Sequence, residues 1–250
     1  MDTTILIAGK DFPAGKDLAS AAVLHGRTAV ITAGQASAEK LTQDGSVQVV
    51  WNKGSALSSR SLVISALNQN GHLDEVVFVF DEEFFAPKYG SLGPAETNRA
   101  CDELILSYEY LADEVLHRFS ERKANGLEKS PGKIVFVYKP NKNQADIVKN
   151  PNLQAETKTV SKILVAVASS AFKAFAENFA ASICDSEDVI PFLVECEPSN
   201  ETARKDSSLM GWLCEYLDQF DSLKKNLTAK QKMTWIKAGS KAGGFNLFKK

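Results

Sequence analysis

The chain has 250 residues, 44% of them hydrophobic and 24% charged, enough apolar material for one large buried core or two small ones. Lys and Arg number 29 against 31 Asp and Glu, a net charge of −2, which argues against a general nucleic-acid binder. No apolar run approaches the ~20 residues that a membrane span needs. The opening MDTTILIAGKDF lacks the basic start and cleavable tail of a secretion signal and reads directly as a strand. Cys101, Cys184, Cys196 and Cys214 are widely spaced, with no nearby histidine, so no metal site is expected. Reduced thiols in a cytoplasmic protein are the default for such a set.

Apolar, β-rich runs occur at residues 4–8, 28–33, 47–51, 75–80, 133–138 and 189–195, with a weaker one at 234–238. They are apolar throughout rather than alternating, as strands covered on both faces must be. Helical patterns fill the gaps between them. Leu104, Tyr108, Leu111, Val115 and Phe119 recur at spacings of three and four and give one apolar stripe. From about 157 to 183, Ile163, Leu164, Val167, Phe172, Phe175 and Phe179 spread around much of a helix circumference, so part of that helix should pack on something besides the sheet. Residues 139–158 form a long polar insertion expected to be a loop. Strands alternating with helices predict a single domain over 1–250: an α/β, doubly wound Rossmann-type fold with a central parallel sheet of about seven strands and helices on both faces.

After the first strand, AGKDFPAGKDLA (residues 8–19) opens a helix, and a glycine-rich turn there lets backbone N–H groups approach a pyrophosphate. Gly9 and Gly15 stand six residues apart, as do the outer glycines of the T-G-x-x-x-G-x-G loop of short-chain dehydrogenases/reductases. The chain resembles that family from about residue 5 to 245. Leu73-Asp74, Gly132, the run SSAFKAFAENFA (residues 169–180) and Pro198 fall in the family's order of landmarks. The resemblance implies NAD or NADP at Gly9, Lys10 and Gly15. It also implies a homodimer or tetramer built on the helices near 97–122 and 157–183.

Departures from the family pattern concern function. Pro13 replaces the middle glycine and has no N–H to offer a phosphate. Asp11 adds a negative charge that Lys10 and Lys16 could offset. Near Gly34 there is neither the acid nor the arginine that selects an adenosine ribose. Asp81, Glu82 and Glu83 replace the family's N-A-G and would repel an anionic dinucleotide.

In the family's Y-x-x-x-K pair, a lysine lowers the pKa of the tyrosine that exchanges a proton with substrate. Lys173 matches the lysine, whereas the tyrosine position is Ser169 and the usual serine position falls at Tyr138 or Lys139. Lys173 is then a relic bonded within the old crevice, or part of a rewired site in which Tyr138 supplies the phenol, or half of a Ser169–Lys173 hydrolase pair. The leading expectation is a binding or scaffold subunit without the usual alcohol–carbonyl chemistry and with no cofactor. The alternative is an NAD(P)-dependent oxidoreductase using Tyr138 and Lys173. No nucleic-acid or membrane partner is expected.

Overall fold

Alternation of side chains along each strand sends the apolar runs into two cores. Leu6 and Ala8, Val76, Phe78 and Phe80, and Ile134 and Phe136 enter one core, whereas Ile5 and Ile7, Val77 and Val79, and Val135 and Val137 enter the other. Strands with both faces buried belong in a parallel sheet flanked by helices, and the computed structural model has that architecture. It describes residues 3–34, 40–41, 45–90, 92–124, 130–153, 159–223 and 227–241.

In chain order the elements are β1 (Thr3–Phe12), α1 (Lys16–Leu24), β2 (Arg27–Ala33), β3 (Lys40–Leu41), β4 (Val47–Val50), α2 (Ala56–Asn70) and β5 (Glu75–Asp81). There follow α3 (Glu82–Phe85), α4 (Pro94–Cys101), a π-helical turn (Asp102–Leu106), α5 (Ser107–Ala124), β6 (Gly132–Lys139) and α6 (Gln144–Lys149). The last third contains α7 (Ile163–Ser182), β7 (Val189–Glu195), α8 (Glu201–Arg204), α9 (Asp206–Leu223), α10 (Ala229–Lys232) and β8 (Trp235–Lys237). The sheet order is β3-β4-β2-β1-β5-β6-β7-β8, parallel at every pairing except the short β3–β4 contact. Seven parallel strands therefore match the expected sheet, including the weak last one.

One core holds α2, α5 and α7 against the sheet, and the other holds α1 and α9. Phe172 of α7 anchors the first, with ring centroids 5.1 Å from Phe80, 5.0 Å from Tyr108 and 6.0 Å from Phe136. Beneath the N-terminal strand ends, buried Glu75 pairs with Arg27 at 3.3 Å and with Lys133 at 3.3 Å. Arg27 and Lys133 in turn hold Asp218 and Asp221 of α9, each at 2.6 Å. This cluster closes the end of the sheet opposite the ligand crevice of doubly wound folds.

Two sequence expectations need correction. The insertion at 139–158 is not all loop: Lys139 ends β6, and α6 forms within it because Asn143 and Asp146 make a reciprocal capping box. In addition, α7 is long and apolar enough to cross a membrane by length and composition, contrary to the reading that no such run exists. Its Val165, Ala168, Phe172, Ala176 and Ala180 are buried, so it serves as a sheet-covering helix. The start expected near 157 lies among residues outside those described; the helix itself begins at Ile163.

Candidate functional site

The topological switch point lies between β1 and β5, where connections leave the sheet in opposite directions and a crevice opens at the strand C-termini. β1 does not stop at Ala8 to make an open loop. It runs on to Phe12, which registers against Ala33 of β2. Gly9 has φ +106°, and a Cβ there would fall 2.1 Å from the Val79 carbonyl oxygen and 2.7 Å from the Tyr108 hydroxyl. That hydroxyl donates to the same carbonyl at 2.9 Å. Gly9 is glycine because β5 and α5 close on it.

Gly15 is similarly hemmed in, by the Lys10 carbonyl oxygen 2.1 Å from its would-be Cβ. Its N–H donates to the Asp11 carbonyl at 3.1 Å, and Lys16 N–H donates to the Pro13 carbonyl at 3.1 Å. The peptide bond before Pro13 is cis. The turn thus spends these backbone donors on itself.

Across the crevice, four side chains form a closed ring of alternating charge. Lys10 Nζ lies 2.7 Å from Asp81 Oδ2 and 2.7 Å from Asp206 Oδ2. Lys139 Nζ lies 2.6 Å from Asp206 Oδ1 and 3.4 Å from Asp81 Oδ2, which closes the ring. None of the four side chains is more than 14% exposed. Burial alone would raise the Asp81 carboxyl, but the charges of Lys139 and Lys10 outweigh it and hold it below its ordinary value. Burial likewise opposes the Lys139 charge, and Asp81 and Asp206 overcome that and push its pKa up. Beside the ring, Asp11 accepts from Thr32 at 2.6 Å and pairs with Lys53 at 2.8 Å.

These groups form a partition. On one side, Asp81 and Lys139 line a cavity of about 780 Å³ over the ends of β5, β6 and β7. On the other, Asp11 and Lys53 line a cavity of about 640 Å³ beside Gly34, Trp51 and Asp102.

The larger cavity gathers several residues that the sequence singled out: Tyr138, Ser169, Asp81, Glu82, Glu83 and Pro198. Their arrangement corrects two expectations. Asp81 and Glu82 are not free charges facing a ligand, since Asp81 sits in the ring and Glu82 Oε1 accepts from Tyr138 at 2.5 Å. Lys173 does not reach the Tyr138 hydroxyl. Its Nζ pairs with Glu195 at 3.1 Å and lies 5.0 Å over the Tyr138 ring and 5.2 Å over Trp235. Burial and the acceptor Glu82 push the Tyr138 phenol well up, the opposite of what a tyrosine–lysine pair achieves. Ser169 donates to the Ala166 carbonyl at 3.0 Å. Of Gly9, Lys10 and Gly15, only Lys10 belongs to the ring, and the two glycines lie in the packed turn beside it.

Lys53, Asp206 and Glu195 were not read from the sequence as site residues. Each becomes relevant through a partner far away in the chain, and nothing local marks it. Among the described residues no metal-binding group of His, Cys, Asp and Glu occurs.

The sheet order and paired helical layers are those of short-chain dehydrogenases/reductases, and comparison with solved structures bears this out. A short-chain dehydrogenase from Mycobacterium smegmatis superposes with a TM-score of 0.62 at 15% identity, covering 96% of this chain and 92% of that one. A 3-ketoacyl-(acyl-carrier-protein) reductase from Brucella melitensis, complexed with NADH, gives 0.58 at 16% identity, covering 96% and 98%. An NADH-dependent reductase complexed with NAD gives 0.61 at 12% identity, covering 95% of each chain. No family profile matches the sequence, and no curated protein does. The chain has the short-chain dehydrogenase/reductase fold, at an identity that speaks for fold alone.

Proposed function

We propose that this chain is a divergent short-chain dehydrogenase/reductase that acts as a cytoplasmic binding or scaffold subunit and not as an alcohol–carbonyl oxidoreductase. The observation that carries this reading is the Lys10–Asp81–Lys139–Asp206 ring. It stands at the switch point where a dinucleotide would have to cross from one cavity to the other. A pyrophosphate needs unspent N–H groups at the strand-to-helix turn, and here Gly15 and Lys16 donate internally while Pro13 has no N–H. The residues present do not fit a dinucleotide pyrophosphate. All four cysteines are unpaired, which suits a reducing compartment.

An NAD(P)-dependent oxidoreductase using Tyr138 and Lys173 is the second reading. It is favoured by the place of Tyr138 and Ser169 on the larger cavity and by neighbours complexed with NAD or NADH. Against it stand the Lys173–Glu195 pair and the raised phenol.

Calorimetric titration with NAD+, NADH, NADP+ and NADPH separates the two. Saturable binding with a micromolar Kd overturns the binding-protein reading, and no saturation below millimolar supports it. Were a carbonyl substrate turned over, loss of activity in folded Tyr138→Phe would establish the rewired site.

The same reading includes a homodimer or tetramer. In support of it, Ile163 and Val167 are 59% and 58% exposed one turn apart on α7.

A further inference from the structure

Resting on the binding-protein reading, we propose that the larger cavity takes a small organic cation carrying a primary ammonium, held by the carboxylate of Glu82. The cavity over the ends of β5, β6 and β7 measures about 780 Å³, the size of a small-molecule site. Its charge follows from the lining. Asp81 and Lys139 belong to the neutral ring, and Glu197 pairs with Lys237 at 2.6 Å. Glu82, Glu83 and Asp146 then stand against Lys142 and Arg204, which leaves an excess of negative charge.

Among these groups Glu82 is set apart by its burial, at 3% exposed. Tyr138 holds its Oε1 at 2.5 Å, but that bond leaves the second oxygen and the charge open. Burial and the Glu82 charge keep the phenol protonated, so its hydroxyl is a neutral donor and does not cancel the carboxylate. Among the described residues Oε2 takes no hydrogen bond, and neither oxygen has a lysine or arginine nitrogen within 4.0 Å. A buried carboxylate without a cation is costly, and such groups are ordinarily paired. Every fully enclosed side-chain oxygen among the described residues has a hydrogen-bond partner. Unbonded Oε2 is therefore not enclosed, and the open space that Glu82 lines is this cavity. An ammonium placed there supplies the donor and the cation that Oε2 lacks, in one charge-assisted hydrogen bond.

The test is calorimetric titration of the full chain with benzylamine, benzyl alcohol and benzyltrimethylammonium, repeated on Glu82→Gln and Glu83→Gln. Benzylamine is expected to bind saturably and on the order of tenfold tighter than the other two. The alcohol lacks the charge, and the quaternary cation lacks the N–H. Glu82→Gln keeps an acceptor for Tyr138 and removes the charge, so it should weaken benzylamine binding by about tenfold or more. Glu83 is exposed, and Glu83→Gln should change the affinity only slightly. Either control ligand binding as tightly as benzylamine, unchanged affinity in Glu82→Gln, an equal loss in Glu83→Gln, or no saturable benzylamine binding overturns the proposal. Should Glu82→Gln fail to fold, the three ligands decide the matter on the wild-type chain. NADH is titrated separately. Micromolar NADH binding would overturn the binding-protein reading while leaving the amine site to be judged on the ligand series and the two variants.

Discussion

Lys10 Nζ lies 2.7 Å from Asp206 Oδ2, so the end of the first strand is tied to the first turn of α9, near the far end of the chain. Through the same nitrogen the tie continues to Asp81 at the end of β5. Removing the cation leaves two carboxylates that are 5% and 11% exposed facing each other across Lys139 alone. Breaking a buried pair from one side typically costs about 3–5 kcal/mol, and the remaining lysine should reduce that to about 2–3 kcal/mol. Lys10→Met is therefore expected to lower Tm by roughly 5–10 °C, read by thermal unfolding followed by circular dichroism. An unchanged Tm would mean that the ring is loose in solution.

Acid should act on the same ring. A carboxyl whose pKa is depressed in the folded state, as that of Asp81 is, contributes stability that is fully present above the unfolded value near ~3.9 and lost as pH falls through the folded value. For Lys139, whose folded pKa is raised, the contribution is present below the unfolded value near ~10.4 and lost as pH climbs past the folded one. Urea midpoints should therefore be flat between those limits as far as this pair is concerned, with an acid limb below about pH 4. Asp81→Asn should be less stable at neutral pH and show a shallower acid limb. A limb of wild-type steepness would assign the acid sensitivity to other carboxylates.

Gly9 tests whether the turn after β1 is packed rather than poised for a ligand. In Gly9→Ala the new methyl group meets the Val79 carbonyl at 2.1 Å with φ at +106°. A loss of more than about 3 kcal/mol, or failure to accumulate as folded protein, is expected. Gly71→Ala is the control, since Gly71 also has positive φ, +74°, but meets nothing within 4 Å. It should cost only about 1–2 kcal/mol. Equal losses in the two variants would show that backbone strain alone, and not the close approach of β5, makes Gly9 necessary.

Tyr138 and Glu82 form a hydrogen-bonded pair at the floor of the larger cavity, with Glu82 only 3% exposed. Tyr138→Phe removes the donor and strands a buried carboxylate, which should cost about 1–3 kcal/mol. Tyr138→Phe combined with Glu82→Leu should recover most of that loss, because two apolar groups leave nothing unsatisfied. A double variant as unstable as the sum of the singles would show that the pair is not coupled.

Sheet and helices were legible because both rest on local pattern. The runs at 75–80 and 133–138 are apolar at every position, and that suffices for a strand buried on both faces. At the site, identity was legible but pairing was not. Asp81 and Glu82 stand out in the sequence as carboxylates facing a ligand, and Lys10 as a cation that offsets Asp11, but the partners they take in the fold do not. The groups that pair with them are Asp206, Lys139 and Tyr138, and only the sheet order brings those within reach. The helix inside 139–158 was missed for a smaller reason. Its signal is a single Asn143–Asp146 capping box over one short turn, with no apolar stripe to mark it.

The two helices named from the family resemblance expose unequal apolar surface, which bears on the proposed dimer. Along α5 the large apolar side chains turn inward, and Glu109, Asp113 and His117 face solvent. On α7, Phe172 is buried and Phe175 and Phe179 are half-buried, so the helix is less exposed than its composition suggests. What remains outward is Ile163 and Val167, with Leu92 beside Ile163 on a cavity of about 510 Å³. Burying such side chains against a second copy gains about 1.5–3 kcal/mol each. In a two-fold dimer each of these residues would be buried twice. Light scattering at micromolar concentration should then give a mass of at least twice 27.2 kDa. Ile163→Asp with Val167→Asp should return the protein to a folded monomer, since neither side chain is part of the core. A wild-type chain that is already a monomer at that concentration sinks the dimer outright. A dimer indifferent to both substitutions would move the interface to another face.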